Sequence, residues 1–137
     1  MWWIYALLSA LFAAFTAILA KVGIKNIDTD LATAIRTVVI LILAWAIAFF
    51  RGGTNSIMQL SRQNLLFLCL SGVATGLSWI FYFKALQLGK VSQVAPVDKL
   101  SVALAIIFSV VFLGDTLTLK TAIGAACIIA GTIVIIL

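Results

Sequence analysis

The sequence predicts an all-α integral membrane protein in which one domain, residues 1–137, crosses the bilayer five times. Composition is the first reason: 65% of the residues are hydrophobic and 9% charged, with a mean hydropathy of +1.29. A soluble domain is about half apolar and about a quarter charged, so no soluble core could hide this much apolar surface. Spacing is the second. The apolar runs reach the roughly 20 residues needed to cross a hydrocarbon core, and polar residues gather only between them. Little chain is left over, and no extramembrane domain is expected.

The first helix is read over 2–22 and begins at Trp2-Trp3 with no basic stretch before it, so it is expected to remain as a span and not to be a cleaved signal. The second is read over 31–50, the third over 63–88, the fourth over 91–113 and the fifth over 119–137. Asp30, Ser61 and Thr118 stand just before the second, third and fifth helices, where a side-chain oxygen can accept from free N–H groups. Gly23, Gly52, Gly89 and Gly114 fall just past helix ends, where glycine tolerates the left-handed backbone that closes a helix. The connection 51–62 is long enough for an interfacial turn, whereas Gly89-Lys90 joins the third and fourth helices in a tight hairpin. No repeat occurs inside the chain, and an odd number of spans puts the termini on opposite sides.

Charge and cysteine usage exclude several functions. The net charge is +5, but the nine basic residues are scattered singly and make no nucleic-acid patch. Cys69 and Cys127 lie in apolar segments and the chain has no histidine, so neither a metal site nor a disulfide framework is expected. No nucleophile–base arrangement and no P-loop is present, so no enzyme, catalytic residue or cofactor is expected.

Lipid offers no hydrogen bonds, so polar side chains at membrane depth should face protein or a water-filled cavity. Tyr5, Ser9, Phe12 and Thr16 follow helical steps of four, three and four, and Ser71, Thr75, Ser78 and Tyr82 repeat those steps on the third helix, with Trp79 beside them. Asp98, Ser101, Ala105, Ser109 and Phe112 make a third stripe. Two readings fit: a solute pathway lined by these helices, or close helix packing with hydroxyls bonded to backbone carbonyls. Gly72 and Gly76 on the third helix, and Gly124 and Gly131 on the fifth, supply close-approach faces, the latter pair being the expected dimer contact.

Four charged residues, Arg36, Lys84, Asp98 and Lys99, fall inside the predicted spans. Each costs roughly 2.5–3.5 kcal/mol at a helix centre if unpaired. Asp98 either pairs structurally with Arg36 or Lys84, or serves a substrate or proton site as the lone deep acid. Pro96, the only proline, donates no hydrogen bond to residue 92 and can kink the fourth helix beside this charged pair.

At these residues the sequence resembles the drug/metabolite transporter superfamily in its EamA-type form. The resemblance is carried by Phe81-Tyr82-Phe83-Lys84-Ala85-Leu86, Val94-Ala95-Pro96-Val97, Phe112-Leu113-Gly114-Asp115, Ile123-Gly124-Ala125-Ala126 and Ala130-Gly131-Thr132, with Ala34-Ile35-Arg36 at the arginine position of the second helix. Asp115 stands where the family usually has glutamate. The resemblance implies a single five-helix repeat of the drug/metabolite transporter type, where typical members carry two repeats of inverted topology around a central site. It also implies alternating-access export or exchange of a small polar metabolite or drug.

With one repeat, the expected working unit is an antiparallel homodimer or a heterodimer with a paralogue. Loop cations balance across the membrane, with Lys21, Lys25 and Lys90 on one side and Arg51, Arg62 and Lys120 on the other, and adding Arg36, Lys84 and Lys99 makes it six against three. The alternative is a non-transporting accessory subunit of a larger transporter or lipid-carrier flippase. The expected partners are a small-molecule substrate and membrane lipid, in a multi-pass protein of a prokaryotic plasma (inner) membrane.

Overall fold

Where the apolar runs predict spans, the backbone is helical. The computed structural model describes residues 1–137 and contains α1 (Trp2–Gly23), α2 (Thr29–Phe50), α3 (Arg62–Leu88), α4 (Val91–Asp98), α5 (Leu100–Phe108) and α6 (Leu119–Ile136). A π-helical turn, Ser109–Leu113, continues α5, so that α4, α5 and this turn form one span over Val91–Leu113. With α1, α2, α3 and α6 that makes five helices long and apolar enough to cross a membrane.

The helix ends show which local chemistry won. Asp28, and not Asp30, caps α2: its carboxylate accepts from the N–H groups of Asp30 at 2.8 Å and Leu31 at 3.1 Å. Asp30 falls in the first turn instead, where its charge complements the helix dipole. Ser61 Oγ accepts from Asn64 N–H at 3.1 Å, and Thr118 Oγ1 from Thr121 N–H at 3.2 Å, so these two caps lie where the sequence placed them. Gly52 and Gly114 take φ of +72° and +73°, but in the first loop Asn26, at +63°, does what Gly23 was expected to do. The long connection holds a 3-10 turn, Gly53–Gln59.

The chain divides into two compact units. One is Leu19–Gln87, holding the end of α1, all of α2 and the bulk of α3. The α1–α2 loop is tied there to the end of α3, because Lys21 Nζ donates to the Leu86 carbonyl and Gln87 Nε2 donates to Ile27 O at 2.9 Å and Ile24 O at 3.4 Å. Phe83 and Leu86 are wholly buried, and Ile24, Thr29, Ala32 and Thr33 are nearly so. The other unit is Met1–Ile18 with Leu88–Leu137, in which α6 packs against α4 and α5. Ala17, Ala103 and Thr132 are its buried residues. Most large apolar side chains in both units point outward, onto surface that lipid or another protein must cover.

Candidate functional site

Arg36 stands seven residues into α2 from Thr29, about 10 Å along the axis at the usual rise. Its guanidinium carbon lies 4.5 Å from the centre of the Phe83 ring and 5.1 Å from that of Trp79. Trp79 and Phe83 are four residues apart on α3 and so share a face, which gives the cation two aromatic contacts from one helix. A cation held against an aromatic face is stabilised by about 0.5–1 kcal/mol when exposed and about 2 kcal/mol when desolvated. The rings accept charge but no conventional hydrogen bond. One guanidinium nitrogen, Nη1, is buried with no hydrogen-bond partner, and an orphaned donor of this kind costs about 1–3 kcal/mol. The Tyr82 ring leans on Phe83 with centroids 5.8 Å apart.

In the other unit, Asp98 ends α4 and Lys99 separates it from α5. Lys99 Nζ lies 3.3 Å from Asp98 Oδ2, an ion pair between sequence neighbours in which the aspartate side chain is 34% exposed. Pro96 lies three residues before the break. Its carbonyl accepts from Lys99 N–H at 3.1 Å and faces Thr132 Oγ1 at 3.2 Å, so α6 reaches the carbonyl around which the fourth span is interrupted. Thr132 is nearly buried, and its hydroxyl also lies 2.8 Å from Ile128 O in its own helix.

The remaining predicted residues are less engaged. Tyr5 and Ser9 are exposed on α1 and Thr16 is half-buried; Ser71, Thr75 and Ser78 are exposed on α3, as is Ser101 on α5. Thr75 Oγ1 donates to Ser71 O at 2.9 Å, which satisfies that hydroxyl within its own helix. Lys84 is exposed on α3, next to the buried Phe83. Gly124 and Gly131 are exposed on α6, and a Cβ added at either would meet nothing within 4 Å. The structure thus joins Arg36 to Trp79, and Asp98 to Lys99. Phe83 and Thr132 entered the sequence reading only within the stretches that carry the family resemblance, and neither was singled out as a site residue. The spacing of Phe83 from Trp79 was the available signal for the first, and nothing local distinguishes Thr132.

Comparison with known proteins gives a consistent picture. The model of the EamA-like transporter family matches residues 1–137. A Sinorhizobium protein named as an uncharacterized transporter in the cobO 3′ region is 49% identical over 134 residues, covering 98% of this chain and 95% of that protein. The uncharacterized transporter YxxF of Bacillus subtilis is 31% identical over 93% of this chain and 40% of its own length. Human solute carrier family 35 member G1 is 34% identical over 91% of this chain and 34% of its own. No solved structure matches.

Proposed function

This chain belongs to the EamA-like transporter family, and from that premise we propose that it is a secondary transporter moving a small polar metabolite or drug outward, or in exchange, by alternating access. The observation that carries this is Arg36: a cation about 10 Å inside a span, braced by two rings and still holding an unpaired buried donor, is costly to keep unless it meets a solute. On this reading the polar stripes of the first, third and fourth spans serve the solute's path, with Tyr5, Ser9, Thr16, Ser71, Thr75, Ser78, Trp79, Tyr82, Asp98 and Ser101 as its contacts. Its working form is an antiparallel pair of chains. Support for the pair comes from lengths: the Sinorhizobium relative is covered to 95%, whereas the Bacillus and human relatives are more than twice as long as the stretch matched. A second copy in opposite orientation supplies the inverted counterpart of a five-span unit, and the balanced loop cations permit both orientations. The exposed glycine face of α6 gives the partner a place to approach.

The test is uptake by proteoliposomes, using a panel of amino acids, organic cations and organic anions with and without a pH gradient. Counterflow of any one of them, absent from empty liposomes, is the expected result. Transport of none, together with obligate co-purification of a second membrane protein, would instead make the chain an accessory subunit. Terminal reporter fusions should report both orientations; activity on one side alone, with no opposed partner, would rule out the antiparallel homodimer.

A further inference from the structure

We propose that Arg36, clamped by Trp79 and Phe83, is the anion receptor of the transport site, so that the solute carries a single carboxylate. The inference rests on the transporter reading for the solute's being carried, but the binding chemistry stands on the site itself. Arginine presents five donors in a rigid planar fork and cannot be deprotonated in a protein. Both aromatic contacts belong to α3, at 4.5 and 5.1 Å, so one helix holds the charged plane in place without giving Nη1 an acceptor. The buried Nη1 has no partner, and the one salt bridge in the structure is that of Lys99 with Asp98. What completes such a fork is an oxyanion that offers two oxygens side by side, carboxylate or phosphate, taken up through two parallel N–H···O bonds. Charge decides between the two common kinds. One fixed cation held against apolar rings is balanced by one negative charge, which a carboxylate brings, whereas a phosphate group brings about 1.5–2 at neutral pH. Nη1 is buried in this arrangement, so its acceptor enters as the surroundings of Arg36 shift, and the indole of Trp79, 5.1 Å from the guanidinium carbon, reports that event.

The experiment uses the full chain in nanodiscs with Trp2, Trp3 and Trp45 replaced by phenylalanine, so that emission comes from Trp79 alone. Phenylacetate, lactate and propionate are titrated beside their amides, with inorganic phosphate as a further probe. The expected result is a saturable change in Trp79 emission with at least one acid, at least tenfold weaker with its amide and with phosphate. Arg36→Gln should abolish it, and Arg36→Lys, which keeps the charge but loses the fork, should weaken it at least tenfold. The comparison of acid with amide is made with Arg36 in place, so a misfolded Arg36→Gln protein leaves the test intact. Equal responses to acid and amide, a stronger response to phosphate, no response to any acid, or an acid response unchanged in folded Arg36→Gln would each overturn the proposal. Uptake separates the two readings. Carboxylate binding without transport of any solute removes the transporter and keeps the receptor; transport of uncharged solutes unaffected by Arg36→Gln keeps the transporter and removes the receptor.

Discussion

Replacing Thr132 by valine isolates the bond between α6 and the broken fourth span. The Thr132 hydroxyl has one proton and two carbonyls in reach, Ile128 O at 2.8 Å and Pro96 O at 3.2 Å. The first is local and survives in an isolated helix, which is the relevant unfolded state in a membrane. Only the share given to Pro96 is tertiary. Interhelical hydrogen bonds in membrane proteins contribute about 0.6 kcal/mol on average and about 1.7 at most. A shared proton puts this one in the lower half of that range. Valine keeps the shape, so no cavity opens, and Pro96 O keeps the Lys99 N–H at 3.1 Å, so no acceptor is orphaned. The expected loss for Thr132→Val is therefore about 0.5–1 kcal/mol. Thr132→Ser keeps the hydroxyl but loses the buried γ-methyl, about 0.8 kcal/mol, and Thr132→Ala should lose more than either because volume goes with the hydroxyl. Reversible unfolding of the purified protein by SDS in mixed micelles, followed by circular dichroism, measures all three. A valine variant as stable as the parent would mean that the 3.2 Å contact holds nothing, and a loss beyond about 2 kcal/mol would mean that Thr132 does more than bond to Pro96.

Asp98→Asn preserves size and removes the charge at the end of α4; because its ion pair is only with the neighbouring, exposed Lys99, the fold should persist while uptake falls at least about tenfold, or 1.4 kcal/mol of barrier. Uptake unchanged in amount and in pH dependence would remove Asp98 from the mechanism. Gly131→Leu places a side chain where a Cβ meets nothing within the chain, so thermal stability of the dispersed protomer should change by less than about 0.5 kcal/mol. Association, read by energy transfer between differently labelled copies in liposomes, should fall several-fold, and intact transfer would move the partner contact off α6.

The spans were legible because crossing lipid demands a length and a composition that no other structure needs. Their internal breaks were less so. Residues 91–113 read as one helix, yet the backbone breaks at Lys99 and widens into a π-helical turn at Ser109–Leu113. Pro96 flagged the first of these, but hydropathy is blind to which carbonyl each N–H chooses, and the second left no mark. Asp28 and Asp30 are equally good caps by type, and only the backbone angles of the loop decide between them. At the site, Arg36 and Trp79 were each singled out on their own helices. Their meeting depends on how α2 and α3 are rotated about their axes, which a single sequence records only faintly, as the four-residue step from Trp79 to Phe83.

The π-helical turn has a consequence for how the chain tolerates change in length. At its end the N–H of Gly114 reaches back five residues to Ser109 O, one residue farther than an α-helix would. Such a turn is an α-helix that has absorbed one extra residue. Deleting one residue within 109–113 would restore the ordinary register and shorten the segment by about 1.5 Å, without the turn of about 100° about the axis that the same deletion imposes on a regular α-helix. Ordinary helical spans cannot lose a residue without misaligning their faces, but this one carries a spare. Single-residue gaps between otherwise collinear relatives should therefore collect here, and the residues on either side of such a gap should keep the faces they present.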